Sequence, residues 1–438
     1  MNNSENQTAW QRFTNFDRSP VYSFFLDYGR KRKVAAHLRN EEYDAIKEMG
    51  KEAFPQLIKL LYDGDSGMRS RAVHMLGELM YESSITDLVR KLEDKDVRDA
   101  AISALAEIGL PAVPALKYVL NSTSKSKDWT VRSSAVAALG KMNDAGVIPI
   151  LADAMLMDSD ACVRAEAAKA IGSISHVASL PLYGNPLGET AKEVRVKALL
   201  RALHDRADIV RIVAEQSVSS CANESTAYLF VNALRNPNLA RVWDIAGKML
   251  IKIGESAVPV IDTLLNHPDW DVRANAAMLL GEIRSGKAIP RLVFMLKDPH
   301  RYVRENAAES LGKIGALAAV PNLVEALTDN KENVRAKALE ALESIASRCS
   351  TQEHCEVMLD ALNAGERSVK SCSGKKKGID ITISVARLKC AVTEKLNEHE
   401  QMRKESEELA CERFTKMIFK PAQSFKIENR QLKRAVNG

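Results

Sequence analysis

The densest grouping of chemically capable side chains is "CSTQEHC", which sets Cys349, His354 and Cys355 within one turn-sized stretch, with Cys372 and Cys390 downstream. Thiolates and an imidazole are zinc ligands, but structural zinc sites draw on close Cys–Cys or His–His pairs, and the spacing here fits no such pattern. The competing reading is free thiols buried as small apolar groups, so no metal is expected. A second series recurs along the chain at near-regular intervals, mostly one predicted hairpin long: Arg69, Arg98, Arg132, Arg164, Arg211, Arg273, Arg304 and Arg335. A row of guanidiniums can bind an extended anion. Each Arg, however, lies in the first turn of a predicted helix, where the dipole disfavours a cation. That points to a compensating carboxylate, most simply the turn Asp of an adjacent repeat, and to a structural ladder. No HExxH, phosphate loop or dinucleotide fingerprint occurs. No catalytic residue and no cofactor are expected.

The elements that carry the arginines are themselves repeated. "DWDVRANAAMLLGEIRSGKAIPRLVFMLKD" is followed at once by "DPHRYVRENAAESLGKIGALAAVPNLVEALTD". Aligning the Val-Arg pairs gives nine units, with Trp243 in place of one Arg, and a partial unit ahead of them makes about ten hairpins. Asp96, Asp128, Asp160 and Asp271 stand where an N-cap carboxylate meets open helix N–H groups. Pairs such as Ala276-Ala277 and Leu280-Gly281 put small residues on one face, letting helices approach closely. Gly109, Gly254 and Gly315 stop the first helix. Pro55, Pro114, Pro149, Pro259, Pro290 and Pro321 open the second, where a missing N–H costs nothing.

This "VR..AA..LG.I" then "A(V)P.L...L.D" pattern resembles HEAT repeats, in particular the short type of phycobilisome-lyase-like proteins. The resemblance covers roughly residues 40–365. It implies an all-α fold, a right-handed α-solenoid of stacked helical hairpins sharing one core, whose second helices line a concave face. It also implies two activities to weigh. Deoxyhypusine hydroxylase is a HEAT-repeat enzyme whose iron sites use repeated His-Glu pairs, and the repeats here supply no such pairs. A bilin lyase, or a lyase subunit acting on a phycobiliprotein-like partner, is the alternative that the resemblance leaves open.

Composition narrows the class further. Apolar residues make up 46% and charged residues 27%, as in a folded soluble protein. Seven scattered cysteines are no disulfide framework in a chain of 438 residues, and no apolar run spans a bilayer, so a cytoplasmic location is expected. The net charge of +5 is uneven: from Glu366 onward 17 Lys+Arg face 10 Asp+Glu, and the stretch from Met1 to Asn40 is also basic. The solenoid body is therefore acidic, the wrong sign for a nucleic-acid backbone.

Departures from the repeat are the pointers to partners. An insertion at about 175–190, "SHVASLPLYGNPLGETAKE", carries Tyr183. Residues 1–39 are aromatic and basic, read as an N-terminal cap or docking segment. Residues 366–380 read as a basic linker, and 381–438 as an amphipathic helix (Ile381, Val385, Leu388, Val392, Leu396) with a basic tail. The expected function is a non-catalytic scaffold, adaptor or assembly factor that binds one or more proteins within a larger complex. Tyr118, Tyr183, Trp243, Arg291, Phe294, Lys420 and Phe425 are the candidate contacts.

Overall fold

The computed structural model describes residues 20–121, 128–175, 190–235, 240–372 and 375–418. Among them the secondary structure is helical, with no strand. The chain packs as two compact units, residues 1–233 with 238–249, and 234–237 with 250–438.

In the first unit α1 (Pro20–Arg39) precedes the hairpins α2/α3 (Tyr43–Met49, Phe54–Leu60), α4/α5 (Ser66–Glu78, Ile85–Arg90), α6/α7 (Arg98–Ile108, Val113–Asn121), α8/α9 (Trp129–Lys141, Ile148–Met157), α10/α11 (Ala161–Ser173, Ala191–Ala202) and α12/α13 (Asp208–Cys221, Ala227–Leu234). The unit boundary falls within α14 (Ala240–Ile253). The second unit continues with α15 (Val258–Asp262), then α16/α17 (Trp270–Ile283, Ile289–Met295), α18/α19 (Arg301–Ile314, Val320–Ala326), α20/α21 (Glu332–Ser347, Gln352–Cys372) and the long α22 (Lys375–Ile418). Within each unit first helices pack on first helices and second on second, as in α16 on α18 and α9 on α11. This is an all-α solenoid.

The local chemistry follows the repeat. The six prolines stand at the second position of α3, α7, α9, α15, α17 and α19. There the missing N–H would have had no intrahelical acceptor. Gly109, Gly254 and Gly315 take φ of +74°, +75° and +80° at the helix ends, and Met80, Asn143 and Arg284 also take positive φ in other hairpins. Asp65, Asp128, Asp160 and Asp269 cap α4, α8, α10 and α16, each carboxylate accepting the N–H two residues on. Two expected caps are displaced. Asp269 starts α16, so Asp271 lies inside its first turn, still favourable to the dipole. Val97 is the residue before α6, and Asp96 turns instead to Arg69.

The glycine of each "LG" is a contact point. A Cβ on Gly140 would lie 2.6 Å from Ala170 Cβ, and one on Gly312 would lie 2.7 Å from Ala341 Cα. First helices are therefore pressed backbone to backbone, and the core around them is Leu, Val, Ile and Ala. Ser310 bridges the same seam by donating to the Ala277 carbonyl at 2.7 Å.

The ends of the array are covered. Helix α1 packs on α3 with Val34 and Leu38 fully buried. At the other end α22 packs on α20 and α21 with Val385, Leu388 and Val392 buried, and Leu396 half-buried. Lys395 Nζ donates to the carbonyls of Ala346 and Ser347, capping the end of α20. The segment read as a linker at 366–380 is helical on both sides of residues 373–374: α21 runs to Cys372 and α22 begins at Lys375. Its Glu, Arg, Lys and Val content is compatible with helix, and packing decides. No single described helix is long and apolar enough to cross a membrane. Helices α6 and α7, a bent pair that passes together by composition, bury Leu105 and Leu116 in the hairpin stack.

Candidate functional site

The arginine ladder is held by carboxylates from the turn that follows each hairpin. Arg132 grips Asp158 through Nε and Nη2 at 2.8 and 2.9 Å, and Arg164 grips Asp205 at 2.7 and 2.8 Å. Arg273 with Asp298 and Arg304 with Asp329 repeat this two-pronged geometry, while Arg69 divides its fork between Asp94 and Asp96. In Arg69, Arg164, Arg273 and Arg304 the remaining Nη1 donates to two carbonyls of the preceding turn. Each such guanidinium therefore ties two successive inter-hairpin turns together with its donors consumed. Burial alone would raise the Asp205 carboxyl. Bonds from Arg164 and the Ala207 N–H, with the nearby positive charges, hold it below its ordinary value instead.

Three rungs differ. Arg98 donates to the Leu92 carbonyl, Arg335 to the Asp329 carbonyl, and Arg211 to the Asp205 carbonyl and to its own helix neighbour Asp208. Among the described residues no carboxylate lies within ion-pair distance of Arg98 or Arg335. The expected uniform Asp partner is thus corrected at these positions. For Arg335 the cause is plain: Asp360 stands at the interval the other rungs use, but α21 runs straight through the place where other hairpins turn.

A different surface is left open on the second helices and the turns directly after them. Tyr62, Tyr118 and Met157 in the first unit are 56%, 72% and 81% exposed, and Phe294 in the second unit is 63% exposed. Tyr118 and Phe294 are among the sequence candidates, and Tyr62 and Met157 are not. Their signal is register: each lies in, or just past, the last turn of a second helix, where a core position is not needed. Arg291 is engaged within the protein. It pairs with Asp262 at 2.7 Å and Asn266 at 3.0 Å, and its guanidinium sits 5.9 Å from the Phe294 ring. Trp243 is half-buried on the first helix α14. Tyr183, Lys420 and Phe425 lie outside the described residues, as do Trp10, Phe13 and Phe16.

Between α11 and α13 the same surface deepens into a groove of about 460 Å³, with Leu200 and Leu229 on its walls and Lys197, Arg201 and His204 at its rim. Beside it, the Tyr228 hydroxyl donates to Glu193 Oε1 at 2.9 Å. Partial burial, and then the bond and charge of Glu193, push the phenol up to about 12. The sign follows from the protonated form being favoured in the fold. This contribution is present below the ordinary value of 10.0 and is lost as pH rises through about 12. An ultraviolet tyrosinate titration is expected to show one late-ionising phenol, absent in Tyr228→Phe. If the amplitude lost in Tyr228→Phe titrates near the ordinary value of 10.0 instead, the bond to Glu193 does not persist in solution.

The Cys/His grouping packs inward. Cys349 and Cys355 are buried at the turn from α20 to α21, and Cys349 Sγ donates toward the Ile345 carbonyl at 3.6 Å. Burial, followed by the neighbouring Cys355, raises the Cys349 thiol, which favours the protonated form. Among the described residues no set of three or more His, Cys, Asp or Glu side chains is placed to hold a metal ion. The chain has a single His-Glu pair, His399-Glu400, which lies on α22 outside the hairpins.

Residues 37–106, 86–172 and 257–343 match the family model of HEAT repeats, together just over half of the chain. No curated protein matches it. Among solved structures, an engineered protein is 24% identical over 83% of this chain and 94% of its own, with a TM-score of 0.27. The karyopherin Kap121p, bound to the extreme C-terminus of the protein phosphatase Cdc14p, is 17% identical over 80% of this chain and 43% of its own, at a TM-score of 0.41. The complex of CpcE and CpcF of phycocyanin lyase from Nostoc sp. PCC7120 is 18% identical over 76% of this chain and 94% of its own, at a TM-score of 0.23. The repeat signature in sequence, the stacked helical hairpins and the matched family model agree, and this chain belongs to the HEAT-repeat family.

Proposed function

We propose that the protein is a non-catalytic scaffold or assembly factor that binds protein partners along its second helices. The observation that carries this reading is the exposure of Tyr62, Tyr118, Met157 and Phe294 on those helices and the turns after them. Large side chains of these kinds anchor protein interfaces when a partner dehydrates them. The arginine ladder is assigned to the scaffold, because in five of its rungs the guanidinium fork is already taken by Asp carboxylates.

Photo-crosslinking residues placed at 118 and 294 test this directly, with position 209 on the first helix α12 as the comparison, since Ile209 is also exposed. Crosslinks to a defined partner are expected from 118 and 294 and not from 209. Tyr118→Asp with Phe294→Asp should reduce recovery of that partner at least tenfold, about 1.4 kcal/mol, without changing the circular dichroism. Equal recovery by the double variant would remove the second helices from the interface. Co-purification of a tetrapyrrole, seen as visible absorbance, would replace the scaffold reading with the bilin-lyase reading.

A further inference from the structure

Arg195 is the one arginine in the described first unit that is deeply buried without belonging to the ladder. It is 7% exposed, on α11. Its Nη2 donates to the Gly172 carbonyl at 2.7 Å and to Ser220 Oγ at 3.3 Å, and its Nε–H has no acceptor at all. Among the described residues no carboxylate lies within ion-pair distance. Glu193, two residues earlier, is committed to Thr190 and to Tyr228. A buried guanidinium with neutral partners and an idle N–H is costly, because nothing replaces the hydration it has lost.

The repeat does not require an arginine here. Ten residues before the turn carboxylate Asp158 the neighbouring hairpin has Ile148, fully buried, and ten residues before Asp205 this hairpin has Arg195. The charge therefore stands where packing alone is satisfied by an aliphatic side chain.

Arg195 lines a cavity of about 350 Å³ at the edge where α10 ends, α11 begins and α12 turns into α13. Lys192, whose Nζ also donates to Ser225 Oγ at 3.2 Å, lines it too. Ser173, Ser220, Asn223 and Thr226 complete a polar wall on which, among the described residues, there is no Asp or Glu. Arg195 and Lys192 thus line one polar space. Guanidinium and ammonium together are the donor set of a phosphate: the fork supplies direction and the lysine a point charge. At about 350 Å³ the space exceeds what a bare carboxylate needs and is large enough for a phosphoryl group with part of the molecule that carries it.

We propose that this cavity binds the phosphoryl group of a small soluble phosphate monoester, with Arg195 and Lys192 as its ligands. The site is separate from the second-helix surface assigned to protein partners. It places ligand binding beside the chain's one long departure from the repeat spacing.

The test uses the full chain in phosphate-free buffer, with glycerol 3-phosphate, O-phosphoserine, inorganic phosphate and acetate compared at equal ionic strength. The esters are expected to raise Tm saturably and to shift in phosphorus NMR. Lys192→Ala is expected to weaken the ester Kd about tenfold, the loss of one charge-assisted bond. Arg195→Met should abolish the ester effect while melting no lower than the ligand-free wild type, since it removes an unpaired buried charge. An ester response that survives in both variants overturns the proposal, as does no response to either ester in the wild type. Binding of inorganic phosphate more tightly than the esters, or an equal effect of acetate, overturns the assignment to a phosphate monoester. Should Arg195→Met fail to fold, Lys192→Ala alone still decides, because an unchanged ester Kd in that variant removes Lys192 from the site and the proposal with it.

Discussion

Arg304→Ala is expected to destabilise the protein by about 3 kcal/mol, near the lower end of what breaking a buried ion pair costs. Both partners are almost fully enclosed, at 11% and 13% side-chain exposure, so screening removes little of the interaction. The substitution strips Asp329 of bonds at 2.7 and 3.0 Å and leaves its carboxylate with the Lys331 N–H as its remaining bond. It also frees the carbonyls of Asp298 and Pro299, which Arg304 Nη1 had satisfied. Arg335→Ala, which loses a single bond to the Asp329 carbonyl, is expected to cost about 1 kcal/mol or less. Urea denaturation measures the difference between the two. Because stability in a repeat array is a sum over neighbours, hydrogen exchange should show the Arg304 loss concentrated in α18, α19 and α20. If Arg304→Ala and Arg335→Ala cost the same, the carboxylate is not what holds the rung. If Arg304→Ala leaves stability untouched but weakens partner recovery, the arginines are a binding row and the scaffold assignment of the ladder fails.

Much of the ladder is written in the chain at a spacing longer than one helix. Asp94, Asp158, Asp298 and Asp329 follow their arginines at an almost constant interval, and Asp205 lies farther from Arg164 because the insertion intervenes. The same interval from Arg98 and Arg211 arrives at Thr123 and Asn236, which are not acids. Arg335 has the acid in sequence but not in space. Its Asp360 is present in sequence, but whether α21 turns or continues depends on α22 packing against it, a contact between segments that local pattern does not encode. The second-helix surface was legible only in part for a related reason. Leu116, Tyr118 and Val119 are all apolar letters within one turn of α7, and only the completed packing separates the two that are buried from the one that is exposed. Arg195 left a quieter signal: a charged letter at a position where the adjacent hairpin has isoleucine.

Gly312→Ala is expected to lower stability by about 2 kcal/mol, although alanine is the better helix former by about 1 kcal/mol. The added Cβ would stand 2.7 Å from Ala341 Cα and 2.9 Å from Ala341 Cβ, and the first of these is backbone that no rotamer change can move aside. Helix α18 must then shift away from α20, and overpacking of this kind costs about 1–3 kcal/mol before the propensity gain is counted. Gly286→Ala is the matched control: its Cβ would meet nothing within 4 Å and its φ is not positive, so a change within about 0.5 kcal/mol is expected. The two variants separate close approach from backbone entropy, because both remove a glycine and only one pushes on a neighbour. The shift should also propagate to the ladder, since Arg304 lies on α18 and its acceptor Asp329 lies in the turn leading into α20. Combining Gly312→Ala with Arg304→Ala should therefore cost less than the sum of the two single changes. If Gly312→Ala instead melts with the wild type and the double variant is simply additive, close backbone approach does not set how α18 stacks on α20. The spacing would then have to be set by the arginine–aspartate rungs alone.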